Sequence, residues 1–150
     1  MKKLALIMCL AIAVIALAAC GGADSELSGG ESKGDPLLTQ SADNVESIVV
    51  YDQSTGNSVT LNKDNEQMSA LVNALAATKT KTSDTGIADT QLSNPKYMLD
   101  INYKDNKLEN IFSTKTGETY FRFINEDTGW IGGQNADAMK IIDGLFAPAK

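Results

Sequence analysis

The chain predicts one small α+β domain in two layers, an antiparallel sheet of about five or six strands with two helices on one face. Three observations predict it. Strand-like segments follow one another through tight-turn sequences, which favours antiparallel pairing. Only two segments repeat apolar residues at helical spacing. Two amphipathic helices need a common sheet face on which to bury their stripes. The order read along the chain is β-β-α-β-β-β-β-α.

Residues 45–51 are rich in β-branched side chains (Val45, Ile48, Val49, Val50) and predict the first strand. Asp52, Ser54, Gly56 and Asn57 mark a turn, and Val59-Thr60-Leu61 returns as the second strand. Asp64 and Gln67 have capping-box spacing, and Met68, Leu71, Val72 and Leu75 fall at i, i+3, i+4 and i+7, so a helix follows and fades at Thr78. Residues 79–95 are polar and aperiodic, a long connection for a small domain. Tyr97, Leu99, Ile101 and Tyr103 alternate with Met98, Asp100 and Asn102 as a half-buried strand does. Lys104-Asp105-Asn106-Lys107 is a tight turn into a strand over 108–113. A turn at Lys115-Thr116-Gly117 precedes a strand over 118–124. A further turn over 125–129 precedes Trp130-Ile131. The final helix, over 135–146, carries Ala138, Ile141, Ile142 and Leu145 on one face.

Composition narrows the chemistry. The chain has 150 residues, a net charge of −6 and no histidine. Ser-His-Asp and Cys-His catalysis and histidine-ligated zinc are therefore excluded. Loss of Lys2 and Lys3 with a leader leaves −8, which disfavours a nucleic-acid partner. Both cysteines, Cys9 and Cys20, precede the domain, so it carries no disulfide and no thiolate metal site.

The N-terminus reads as an address. Met1-Lys2-Lys3 is basic, and residues 4–19 contain no polar side chain. At 1.5 Å per residue that run makes about 24 Å of helix, short of the roughly 30 Å hydrocarbon core. It therefore reads as a secretory signal. Leu17-Ala18-Ala19-Cys20, followed by Gly21-Gly22, resembles the lipobox of bacterial lipoproteins. The resemblance implies that Cys20 receives a diacylglyceryl thioether and that cleavage leaves it as the first residue. Two acyl chains make attachment stable where one is marginal. It implies lipid anchoring at the extracytoplasmic face of the cell membrane, and Gly21 in place of aspartate implies no retention at an inner membrane. The expected division is a signal peptide over 1–19, a lipidated cysteine and flexible tether over 20–43, and the α+β domain over 44–150. Five glycines and four serines in residues 21–43 carry the tether assignment, and Pro36-Leu37-Leu38 is read as part of it.

No catalytic motif, metal motif or cofactor signature stands out. Asp100, Glu109, Glu118, Glu126 and Asp127 are the acids a carboxylate-based or cation-dependent envelope hydrolase would draw on, and that is the alternative reading. The 52–57 and 125–129 segments are hairpin turns rather than calcium loops. Gly129-Trp130-Ile131-Gly132-Gly133 lacks nucleotide-loop spacing. Phe121 and Phe123 share one face of their strand and Tyr120 and Arg122 the other. With helices on one face only, Tyr120 and Arg122, joined by Trp130, form the candidate binding surface.

Taken together, the lipobox, the tether, Ser47-Ile48-Val49-Val50-Tyr51, the Met68 to Leu75 stripe, Tyr97-Met98-Leu99-Asp100-Ile101, Thr128-Gly129-Trp130 and Ile141-Ile142 resemble small uncharacterised lipoproteins of Gram-positive bacteria. That resemblance implies a location and a domain type, and no activity. The function expected is a non-catalytic binding or accessory module. It has no cofactor, reaches the membrane through the lipid on Cys20, and meets a protein or cell-envelope partner.

Overall fold

The computed structural model describes residues 35–83 and 92–148. The chain divides into the units Met1–Gly30 and Glu31–Lys150, and every described residue belongs to the second. The expectations for the leader, Cys20, residues 21–34 and the 84–91 part of the long connection lie outside the described residues.

Nine elements follow a 3-10 turn at Ala42–Asn44: β1 (Val45–Asp52), β2 (Asn57–Leu61), α1 (Glu66–Ala76), β3 (Lys81–Ser83), β4 (Tyr97–Tyr103), β5 (Leu108–Ser113), β6 (Thr119–Asn125), β7 (Gly129–Gln134) and α2 (Ala136–Leu145). The strands form one antiparallel sheet in the order β2-β1-β4-β5-β6-β7-β3. This is the α+β fold read from the sequence, with one strand more.

The extra strand is β3, inside the segment read as a polar connection. It has no apolar residue and no alternation. It is a strand because β7 offers Trp130, Ile131 and Gly132 as pairing partners at the sheet's edge. The chain therefore passes from β2 at one edge to β3 at the other, with α1 in between.

Local signals explain most of the rest. The β1–β2 turn is held by Asp52, whose carboxylate accepts from the Ser54 amide (2.9 Å) and hydroxyl (2.6 Å), and Gly56 takes φ +74°. Asn106 closes the β4–β5 turn at φ 62°, a conformation asparagine tolerates. The α1 N-cap is Asn65 rather than Asp64: its side chain accepts from Gln67 N–H at 2.9 Å. Asn135 caps α2 by accepting from Ala138 N–H at 2.8 Å, and its amide group donates to Ala74 O (2.7 Å) and Thr78 Oγ1 (2.8 Å). One side chain thus starts α2 and ties it to the end of α1.

The core lies on one face of the sheet. Ile48, Val50, Leu61, Tyr97, Leu99, Ile101, Tyr103 and Ile111 meet Met68, Leu71, Val72 and Leu75 of α1 and Ala138 and Ile142 of α2. Leu37 and Leu38 belong to the same core, at 0% and 2% exposure. The expected tether boundary at residue 43 is therefore corrected, and residues 35–43 are part of the domain. Burying each leucine stabilises the fold by about 1.5–3 kcal/mol, which a short Pro-Leu-Leu in a glycine- and serine-rich context does not advertise.

Residues 35–41 cross the core face as a strap. Asp35 C=O accepts from the Thr80 hydroxyl. The carbonyls of Pro36 and Leu37 accept from Arg122 on β6, Thr39 donates to Glu109 on β5, and Gln40 donates to Asp105 in the β4–β5 turn. The strap thus passes β6, β5 and the β4–β5 turn in order, beside the area the helices cover.

Candidate functional site

The three residues proposed as a binding surface do not share one. Register decides this. Arg122 pairs with Ile131, and Phe123 pairs with Trp130. Paired residues share a face, so Tyr120 and Arg122 lie on the core side and Trp130 lies on the other. Tyr120 is fully buried in the core. The expectation fails because alternation along β6 sorts its residues into two sets without saying which set the helices cover.

Arg122 serves the strap. Its Nε donates to Leu37 O at 2.8 Å and its Nη2 to Pro36 O at 3.1 Å. Nε also lies 3.0 Å from Glu109 Oε1, but its hydrogen is directed to Leu37, so that contact is an ion pair without a hydrogen bond. Glu109 Oε2 accepts from Thr39 N–H (3.1 Å), Thr39 Oγ1 (2.9 Å) and the Tyr103 hydroxyl. Burial first, then the neighbouring Glu109, pushes the Tyr103 phenol well above its ordinary range. This buried clasp fixes the chain's entry into the domain. Its guanidinium and carboxylate are spent on strap main-chain groups, on the Thr39 and Tyr103 hydroxyls and on each other.

The face that no helix of the described residues covers, the helix-free face, is aromatic around β5, β6 and β7. Trp130 stands edge-on to Phe123 (5.2 Å between centroids) and to Phe112 (5.9 Å). Phe121 lies over Gly132, where an added Cβ would sit 2.3 Å from its ring. That contact helps bury Phe121 on a face that no helix of the described residues covers. The neighbouring Gly133 lets Lys79 O approach to 2.1 Å of where its Cβ would be. The glycines of the Gly-Trp-Ile-Gly-Gly run are packing positions. Among the described residues the exposed large apolar side chains are Leu108 (58%) and Phe123 (43%), both on this face. The Trp130 indole N–H is buried and finds no partner among the described residues.

The five acids are dispersed. Glu109 is in the clasp, and Asp100 accepts from Asn110 at 2.6 Å on the helix-free face. Glu118, Glu126 and Asp127 are exposed. In the β6–β7 turn Asn125 Oδ1 accepts from Asp127 N–H (3.0 Å), Thr128 N–H (2.8 Å) and Thr128 Oγ1 (2.7 Å), so its oxygen is committed to the turn. Among the described residues no cluster of three or more acids or cysteines has metal-binding geometry.

A cluster that spacing did not reveal joins β4 to α2. Lys96 Nζ donates to Asp143 Oδ1 at 2.9 Å and sits 4.8 Å from the Tyr97 ring centroid, and the Tyr97 hydroxyl donates to the same oxygen. Phe146 stacks on Tyr97 at 6.2 Å and 8°. Hydrogen bonding with Tyr97 and then Asp143 pushes the Lys96 ammonium up to about 12. Burial disfavours the Asp143 carboxylate, but hydrogen bonds from Tyr97 and Lys96 outweigh it and hold the group below its ordinary value. A lysine that keeps its proton to such a pH is no general base near neutrality. The cluster is a fastening between layers. Its partners are 47 residues apart, beyond any local pattern.

Comparison with known protein families, curated proteins and solved structures gives no match.

Proposed function

We propose that this protein is a lipid-anchored, extracytoplasmic binding module that presents the helix-free sheet face to a protein partner at the cell envelope. Leu17-Ala18-Ala19-Cys20 supports the anchor. The observation that carries the binding role is the placement of Leu108 and Phe123. A folded domain that buries Leu37 and Tyr120 completely leaves in solvent both Leu108 and Phe123, the latter edge-on to Trp130. Such a patch is where association gains most from excluding water. Among the described residues two helices and a strap cover the core side, which favours the opposite face as the one that receives a partner.

Between Cys20, the proposed lipid site, and Asp35 the chain has 14 intervening residues.

The test is site-specific cross-linking in intact cells. A photoreactive residue at Phe123 or Leu108 is expected to give a discrete protein adduct, whereas one at exposed Glu66 on α1 gives none. Equal labelling from both sides overturns the assigned face. For the anchor, Cys20→Ser is expected to abolish incorporation of labelled fatty acid, and continued incorporation contradicts it.

A further inference from the structure

β5 and β6 are joined by very little. Their ladder consists of Phe112 with Phe121 and Ser113 with Tyr120, closed by Thr114 N–H donating to Thr119 O at 2.8 Å. Both strands extend well past this point. β5 starts at Leu108 and is paired with β4 from Leu108 to Phe112, while β6 runs on to Asn125 beside β7. Between these stretches there is no ladder. Among the described residues the two halves of the sheet thus share a short seam, and the unpaired stretch between residues 108–111 and 122–125 is a notch in its hydrogen bonding.

The hydrogen-bond alternation shows what faces the notch. Tyr103 N–H donates to Lys107 O at 2.9 Å. In an antiparallel pair bonded residues alternate, so Glu109 and Ile111 exchange bonds with β4. The main-chain groups of Leu108 and Asn110 then point towards β6. There they find no strand among the described residues. One side of the notch is closed by the Glu109–Arg122 pair and the strap carbonyls. On the other side stand Leu108 and Phe123, the same two exposed apolar side chains, one on each lip.

We propose that this notch is an acceptor site for an extended polypeptide segment, which adds to the free edge of β5. Its main chain pairs with the N–H and C=O groups of Leu108 and Asn110, and one of its apolar side chains seats between Leu108 and Phe123. The chemistry selects the occupant. Alternating donors and acceptors at strand spacing are matched by another extended main chain, and apolar lips add side-chain preference. The outer edges are poorer acceptors. β3 has three residues and carries Lys81, and β2 exposes Ser58 and Thr60. This inference rests on the binding-module reading and supplies the form of its partner.

The mature lipidated chain in nanodiscs is the material for the test. The probe is a panel of acetylated heptapeptides alternating threonine with valine, isoleucine, leucine or phenylalanine, each with a counterpart N-methylated on alternate residues. In the free protein the Leu108 and Asn110 amides are expected to exchange rapidly with solvent, unlike those of Glu109 and Ile111. At least one peptide is expected to slow both amides tenfold or more, and its N-methylated counterpart to do neither. Leu108→Pro deletes one donor that β4 does not use and is expected to weaken that peptide fivefold or more. Phe123→Ser, which leaves the main chain intact, is expected to weaken it similarly. Slow exchange in the free protein, no effect from any peptide at millimolar concentration, equal effects from the N-methylated forms, or protection at β2 or β3 instead would each overturn the proposal. If Phe123 still cross-links to a cellular protein while no peptide protects β5, the notch fails and the binding module stands. If cross-linking fails as well, both fall.

Discussion

Leu37→Ala is the sharpest probe of where this domain begins. Leu37 is fully buried, and its carbonyl accepts from Arg122, so the side chain and the strap's hydrogen bond report on the same placement. Truncating a fully buried leucine removes its transfer free energy and leaves a cavity, together about 2–5 kcal/mol. The strap is a terminal segment that can partly relax into the space, so about 3 kcal/mol is expected. For a domain of this size that lowers Tm by roughly 10 °C. With a urea m-value of about 1.5–2 kcal/mol/M it moves the midpoint down by about 1.5–2 M. Trp130 is the only tryptophan and lies on the far face of the sheet, so its fluorescence reports unfolding without touching the mutated site. A substitution in a flexible tether stays within about 0.5 kcal/mol. A loss below that value, at unchanged m, would refute the packing of residues 35–43 into the core.

Four further variants probe the same geometry. Arg122→Met leaves Glu109 buried without its counter-charge and is expected to cost about 3–5 kcal/mol, whereas the double variant with Glu109→Leu should recover much of that loss in urea melts. Gly133→Ala drives a methyl into the Lys79 carbonyl, so destabilisation of about 1–3 kcal/mol is expected, with the Lys81 and Ser83 amides, which face β7, becoming less protected in hydrogen exchange. Asp143 has a folded pKa below its unfolded value, so its contribution is present above the ordinary carboxylate range, near pH 4, and is lost as pH falls through the lower folded value. Asp143→Asn should therefore flatten the acid limb of a stability-versus-pH curve. At the alkaline end, Lys96→Met should remove a stabilisation that is complete below pH 10.5 and vanishes as pH rises through about 12.

How much of this was legible in the chain differs from element to element. The alternation of Tyr97, Leu99, Ile101 and Tyr103 placed β4's buried side correctly, because all the alternating positions on one side are large and apolar and those on the other include Asp100 and Asn102. The α1 stripe was equally plain, as Met68, Leu71, Val72 and Leu75 are all buried. β6 resisted the same treatment. Its two sides hold Tyr120 with Arg122 and Phe121 with Phe123, and both sets are amphipathic enough to face either way. Gly132, by admitting the Phe121 ring, and the strap, by needing the Arg122 guanidinium, settle which set faces the core. Neither partner is near in sequence.

By itself, then, the sequence determined what local energetics determine: turn positions through Asp52, Gly56 and Asn106, helical stripes through their period, strand content through branched and aromatic side chains, and the candidate lipid anchor through a contiguous motif. Only the tertiary structure decided the path of Leu37 and Leu38 into the core, the edge strand β3, the orientation of β6 and the short seam between β5 and β6. Each of these depends on a partner tens of residues away. A side chain's pattern along the chain fixes which neighbours share its face. Whether that face meets solvent or core is set by what the rest of the chain brings to it.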